Sequence, residues 1–219
     1  MILCVAEFGR IPFGEESNSN RNSCELRYRP LKLVVRTQEL TLWTIGHSTR
    51  STSEFFELLQ AFEIEALADV RRFPVSRRNP HFSQDALTQG LAEIGIEYVH
   101  FPELGGRRQP DPNSGNTLWR NASFRAYADF METEEFRQGM ERLLELARRK
   151  RTAVMCAEAV WWRCHRSLIA DYLKAAGIQV CHIVSAKKME EHPFTSAARL
   201  HEGKLTYSPA DGNSLWPEN

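Results

Sequence analysis

An alternation of two hydrophobic periods constrains this chain more than any other feature. Short β-favouring runs occur at Leu40–Ile45 (LTLWTI), Glu65–Val70 (EALADV), Tyr98–Phe101, Thr152–Cys156 (TAVMC) and Ile178–Val184 (IQVCHIV). Between them, apolar residues recur at helical spacing. Phe55, Leu58, Leu59 and Phe62 form one stripe, and Leu87, Leu91 and Ile94 form another, with Ser83 as its expected cap and Gly95 as its stop. Two helices are expected over Ser123–Met131 and Glu134–Arg149, and a last one over Cys164–Ala176, closed by Gly177. Strands that alternate with helices join through right-handed crossovers into a mainly parallel sheet covered on both faces. The expected fold is therefore α/β: a three-layer, Rossmann-like domain with a mainly parallel sheet of about five strands.

The ends lack this patterning. Residues 1–38 include the polar stretch Gly14–Ser23 (GEESNSNRNS), which has no apolar period with which to offset its ordering entropy. They read as a loose arm, residues 39–208 as a single α/β domain, and 209–219 as a tail. At 219 residues and 42% hydrophobic, the chain can bury a sizeable core. No apolar run approaches the roughly 20 residues needed to span a bilayer, and Met1–Glu7 does not read as a secretory signal. No membrane association is expected. Five cysteines at scattered positions argue against a disulfide framework and for reduced thiols in a cytoplasmic protein.

In such sheets, ligands bind beyond the carboxyl ends of the strands. That rule selects the loops Gly46–Arg50, Arg71–Phe82, Pro102–Trp119 and Ala157–Arg166. The second, RRFPVSRRNPHF, holds four arginines and no acid, and the third carries the pair Arg107–Arg108. Lys+Arg and Asp+Glu both total 28, so this arginine is concentrated locally in a neutral chain. The loops either hold an anion or simply carry solvated charge.

Five short motifs fall in or beside these loops: T-I-G-H-S (Thr44–Ser48), D-V-R-x-x-P-x-S (Asp69–Ser76), L-G-G (Leu104–Gly106), C-A-E (Cys156–Glu158) and C-H-R (Cys164–Arg166). In this order and spacing they resemble the domain of unknown function 488 family of bacterial and archaeal proteins, over about residues 40–185. The resemblance implies a Rossmann-like domain and brings no general activity with it. The linker AVWWR between Glu158 and Cys164 is bulkier than the polar, proline-containing one that the family leads us to expect.

Cys164, His165 and Arg166 are expected to open a helix, whose first N–H groups and positive dipole end suit an anion. Arg166 would add a fork matched to phosphate or carboxylate oxygens. A cysteine at that place has its thiolate favoured, although a small buried thiol packing under the sheet fits Cys164 as well. Glu158, just past a strand, is either an acid, base or nucleophile, or an ion-pair anchor. His47 is a proton carrier or a structural imidazole, and Ser48 beside it suits polar contact with a ligand. Asp69 and Arg71 share one side of an extended strand, so Asp69 can orient Arg71 as readily as do chemistry. Trp119, Trp161 and Trp162 beside arginines can stack a nucleobase, or plug the layer above the sheet.

No metal is expected, because C-x₇-C-H over Cys156, Cys164 and His165 is not a usual zinc spacing. Dinucleotide, nucleotide-hydrolase and serine-hydrolase signatures are absent, and no cofactor is expected. The reading that results is a small hydrolase or transferase for a phosphorylated, nucleotide-like or nucleic-acid-derived substrate. Glu158, Cys164 and His47 are its candidate catalytic groups, and Ser48, Asp69, Arg71, His165, Arg166 and Trp161 its candidate binding groups. A non-catalytic module that grips a nucleotide or nucleic acid with the same residues is the alternative.

Overall fold

The computed structural model describes residues 40–75, 79–209 and 213–214. The arm expected over 1–38 lies outside the described residues, as do most of the expected tail and Ser76–Arg78 of the second loop. A six-stranded sheet forms the centre, in the order β3-β2-β4-β1-β5-β6. Its strands are β1 Thr41–Gly46, β2 Ala66–Asp69, β3 Glu97–His100, β4 Thr152–Cys156, β5 Gln179–Ser185 and β6 Lys188–Glu191. The first five run parallel, and β6 pairs antiparallel with β5.

Five helices among the described residues cover the two faces: α1 Thr52–Ala61, α2 Gln84–Glu93, α3 Ala122–Phe130, α4 Glu134–Arg149 and α5 Arg166–Ala175. Phe55, Leu58 and Leu59 of α1 and Leu87 and Leu91 of α2 pack with Trp43, Ile45, Leu67 and Met155 of the sheet. Tyr127, Phe136, Leu143 and Leu168 of the other helices pack with Leu42, Ala68 and Val154 on the opposite face. Alternation along each strand sends neighbouring residues to different cores, which makes three layers. Local signals set the helix starts: Ser83 accepts from Ala86 N–H at α2, and Ser51 and Glu54 form a reciprocal capping box at α1.

One correction applies to the expected strands. Ile178–Val184 is not the last one, because β6 follows it and pairs with it at the sheet edge. A small sheet, β8-β7-β9, follows from Arg199–His201, Lys204–Thr206 and Asn213–Ser214. Edge strand β6 is short, mostly exposed and rich in charge (KMEE), so it lacks the apolar pattern that marks a buried strand.

A buried polar chain ties this last third of the domain to α5. Thr44 Oγ1 donates to His182 Nδ1 at 2.6 Å, His182 Nε2 to His192 Nδ1 at 2.9 Å, and His192 Nε2 to Asp171 Oδ1 at 3.0 Å. Asp171 also accepts from Thr195 N–H and Oγ1 and from the Tyr207 hydroxyl. With the donors and acceptors running in this one direction, every ring nitrogen of the two imidazoles has a partner. Among the described residues no helix is long and apolar enough to cross a membrane.

Candidate functional site

The β1–β4 ladder continues past the strand ends: His47 N–H bonds to Cys156 C=O at 3.1 Å and Ser48 N–H to Ala157 C=O at 2.8 Å. The first and fourth loops therefore leave the sheet side by side. They pack so closely that a Cβ at Gly46 would lie 1.9 Å from the Glu158 carbonyl oxygen. Glycine is required there by close approach of two backbones.

Around this point opens a cleft of about 950 Å³. His47, Ser48, Arg71, Glu158, Cys164 and His165 line it, together with Arg72, Arg107, Arg108 and Arg163. Asp69, Trp161 and Arg166, also expected at the site, do not line it.

Asp69 stands behind Arg71. It is fully buried and receives Arg71 Nε at 2.9 Å and Nη2 at 2.6 Å, while the Tyr98 hydroxyl donates to it at 2.7 Å. Arg71 Nη1 reaches His47 Nε2 at 3.3 Å. The other ring nitrogen of His47, Nδ1, donates to Ser48 C=O at 2.9 Å, and the ring stacks on Phe82. Burial, and then the Arg71 charge, lowers the His47 pKa to about 4. His47 is thus neutral at pH 7, with one ring nitrogen on Ser48 C=O and the other on Arg71.

Arg166 and Trp161 lie away from the cleft lining. Arg166 is 2% exposed, and its guanidinium donates to the Glu158 carbonyl and, at 2.8 Å, to the Ala159 carbonyl. It braces the inside of the 157–163 loop, where main-chain carbonyls would otherwise be buried unpaired. Trp161 lies face to face on His182, with ring centroids 4.3 Å apart. Its large apolar surface covers the buried histidine chain, whereas Trp162 next to it is 56% exposed. Trp119 packs on Phe124 and Tyr207.

The helix starts at Arg166, with His165 at its N-cap, so Cys164 sits just ahead of it. The thiol is nearly buried yet borders the cleft. Desolvation alone would raise its pKa. A hydrogen bond from Cys156, the Arg166 charge and the Arg166 N–H outweigh that and bring it down to about 7. Cys156 moves the opposite way: its thiol is pushed up by its bond to Cys164 and by burial. His165 Nδ1 lies 3.7 Å from Cys164 Sγ and 3.9 Å from Cys156 Sγ, and the ring packs against Tyr127 and Gly106. The two sulfurs and a ring nitrogen lie within 4.8 Å of one another, the one such donor group among the described residues. Glu158 projects exposed at the rim, and its carboxylate makes no ion pair among the described residues.

The model of the family described as "Domain of unknown function DUF488" matches residues 51–173. The chain belongs to the DUF488 family. The matched span holds Asp69, Arg71, both cysteines of the pair, His165 and Arg166, while His47 and Ser48 lie just before it. No curated protein matches the chain, and no solved structure does.

The sequence marks Arg107 only as part of an arginine pair, and it marks neither Arg163 nor the partnership of Cys156 with Cys164. Arg163 stands inside a loop that the strand-end rule selects. The cysteine pair has a signal in C-x₇-C-H, a spacing unusual for zinc.

Proposed function

We propose that the cleft binds a phosphorylated, nucleotide-like or nucleic-acid-derived anion, and that Cys164 is the nucleophile of a hydrolytic or transfer step. The observation that carries this reading is a thiol just ahead of α5, its thiolate favoured by the Arg166 charge, that borders a cleft lined by arginines. Arg71, held from behind by Asp69 and His47, offers a pre-oriented fork. Arg107 and Arg163 are exposed and make no ion pair among the described residues, so their charge is available to an anion.

In the step, the Cys164 sulfur attacks phosphorus, the S–P bond forms as the bond to the leaving oxygen breaks, and that oxygen takes a proton from water. A second water then attacks phosphorus and gives its proton to the Glu158 carboxylate. The S–P bond breaks and the thiolate returns. In a transferase, an acceptor hydroxyl replaces that second water.

The binding-module reading has its own support in the exposed side chains Phe73 and Val75, which also line the cleft and suit a base or sugar face. A thermal-shift screen over nucleotides, nucleosides and sugar phosphates identifies a ligand, since a hundredfold excess over Kd adds about 2.7 kcal/mol. Conversion of that ligand is then measured. The enzyme reading expects Cys164→Ser to bind and not turn over, and Glu158→Gln to bind normally and turn over slowly. Wild-type turnover by Cys164→Ser sinks the nucleophile. Binding that needs Arg163 and Arg71, with no conversion of any ligand, selects the binding module.

A further inference from the structure

Cys156 and Cys164 come from different elements, the last residue of β4 and the residue just before the N-cap of α5. Their sulfurs lie within 4.8 Å of each other and share one neighbour, His165 Nδ1. A disulfide has an S–S length of about 2.05 Å, so closure asks the sulfurs to move by less than about 3 Å. Both residues line the cleft, which gives a small oxidant a way in. Cys181, the other described thiol, has no such setting: it is buried on the opposite face of the sheet among Trp43, Ile45 and Ile183.

We propose that Cys156 and Cys164 are a redox pair, in which a hydroperoxide oxidises Cys164 and Cys156 closes on it as an intramolecular disulfide. The Cys164 thiolate attacks one peroxide oxygen and the O–O bond breaks. Cys164 becomes a sulfenic acid, and the other oxygen leaves as hydroxide or alkoxide. The Cys156 sulfur then attacks the sulfenic sulfur, its thiol proton leaves with the hydroxyl as water, and the S–S bond forms. Two electrons pass from the thiols to the peroxide. A dithiol reductant reverses the change. The inference rests on the Cys164 thiolate of the preceding reading and is independent of the phosphorylated substrate. While the disulfide stands, the nucleophile is masked, so the same event turns the proposed activity off.

The test uses the full chain, reduced, treated with a small excess of hydrogen peroxide at neutral pH, quenched with iodoacetamide and mapped by peptide mass spectrometry. The expected product is a Cys156–Cys164 cross-link with the loss of two hydrogens, reversed by dithiothreitol, while Cys181 remains alkylatable. A thiolate reacts where a thiol does not, so Cys164 is expected to be lost more than about tenfold faster than Cys181. In Cys156→Ser, the Cys164 sulfenic acid loses the one thiol beside it among the described residues and is trapped by dimedone. The wild-type map decides even if that variant folds poorly.

Cys164 carried on to sulfinic acid with Cys156 left free overturns the pair. So does stoichiometric zinc in the purified protein that depends on both thiols. Iodoacetamide alkylation of Cys164 against pH separates the two proposals. A midpoint near 7 without a cross-link defeats the redox pair and leaves the nucleophile standing. A cross-link in a protein that converts no phosphorylated compound does the reverse.

Discussion

Arg166 Nη1 donates to the main-chain carbonyl of Glu158, eight residues earlier in the chain. One side chain thereby holds the loop that presents Glu158 and supplies the charge that favours the Cys164 thiolate. Replacing it with alanine orphans two carbonyls and leaves a cavity, at a cost of at least about 2–3 kcal/mol. In Arg166→Ala the alkylation midpoint of Cys164 is expected to rise from about 7 toward the ordinary thiol range. Urea unfolding and alkylation against pH read the two effects separately. An unchanged midpoint in a folded variant removes Arg166 from the thiol's support.

Asp69→Asn keeps shape and removes the charge that faces Arg71. Arg71 is 7% exposed, so the variant leaves a nearly buried cation without its partner, a loss of about 3–5 kcal/mol. Tyr98→Phe removes one hydrogen bond to the same carboxylate and is expected to cost about 1.5–3 kcal/mol. Equal losses in the two variants would contradict the assignment of Asp69 as the anchor of Arg71.

Gly46→Ala introduces a Cβ 1.9 Å from a backbone oxygen that Arg166 holds in place. Neither backbone has room to yield, so a destabilisation of about 3 kcal/mol or more is expected from overpacking. The melting temperature checks it. Gly115, where an added Cβ meets nothing, serves as the control and should tolerate alanine.

His47 and His182 give stability a pH dependence of definite sign. Burial lowers the first to about 4 and the second to about 2, from 6.5. Below pH 6.5 the unfolded chain takes up protons that the native rings refuse, so stability falls as pH falls. Each ring contributes a slope approaching about 1.4 kcal/mol per pH unit. Urea midpoints between pH 6.5 and 5 should drop steadily. A flat profile would mean that these rings accept protons in the native fold.

Much of this fold is legible in the amino-acid sequence. The Phe55–Leu58–Leu59 stripe, the Ser83 cap and the β-branched run ending at Ile45 each declare their element within one or two turns of chain, because period and capping are local properties. Parallel topology then sends the carboxyl ends of β1, β2 and β4 to one edge. That is why His47, Ser48, Arg71, Glu158, Cys164 and His165 border a common cleft.

The tertiary structure decided what each side chain does there. An arginine in the first turn of a helix can face solvent or turn back on the preceding loop. Arg166 turns back because the close approach of Gly46 to Glu158 folds that loop over it. Trp161 stacks on His182 because β5 brings that ring beneath it. Cys156, at the end of β4, meets Cys164, just ahead of α5, so the two lie on different elements and no single period relates them. Periodicity encodes which face of an element is buried. It carries nothing about which distant residue fills the space opposite, since that depends on how the packed elements meet.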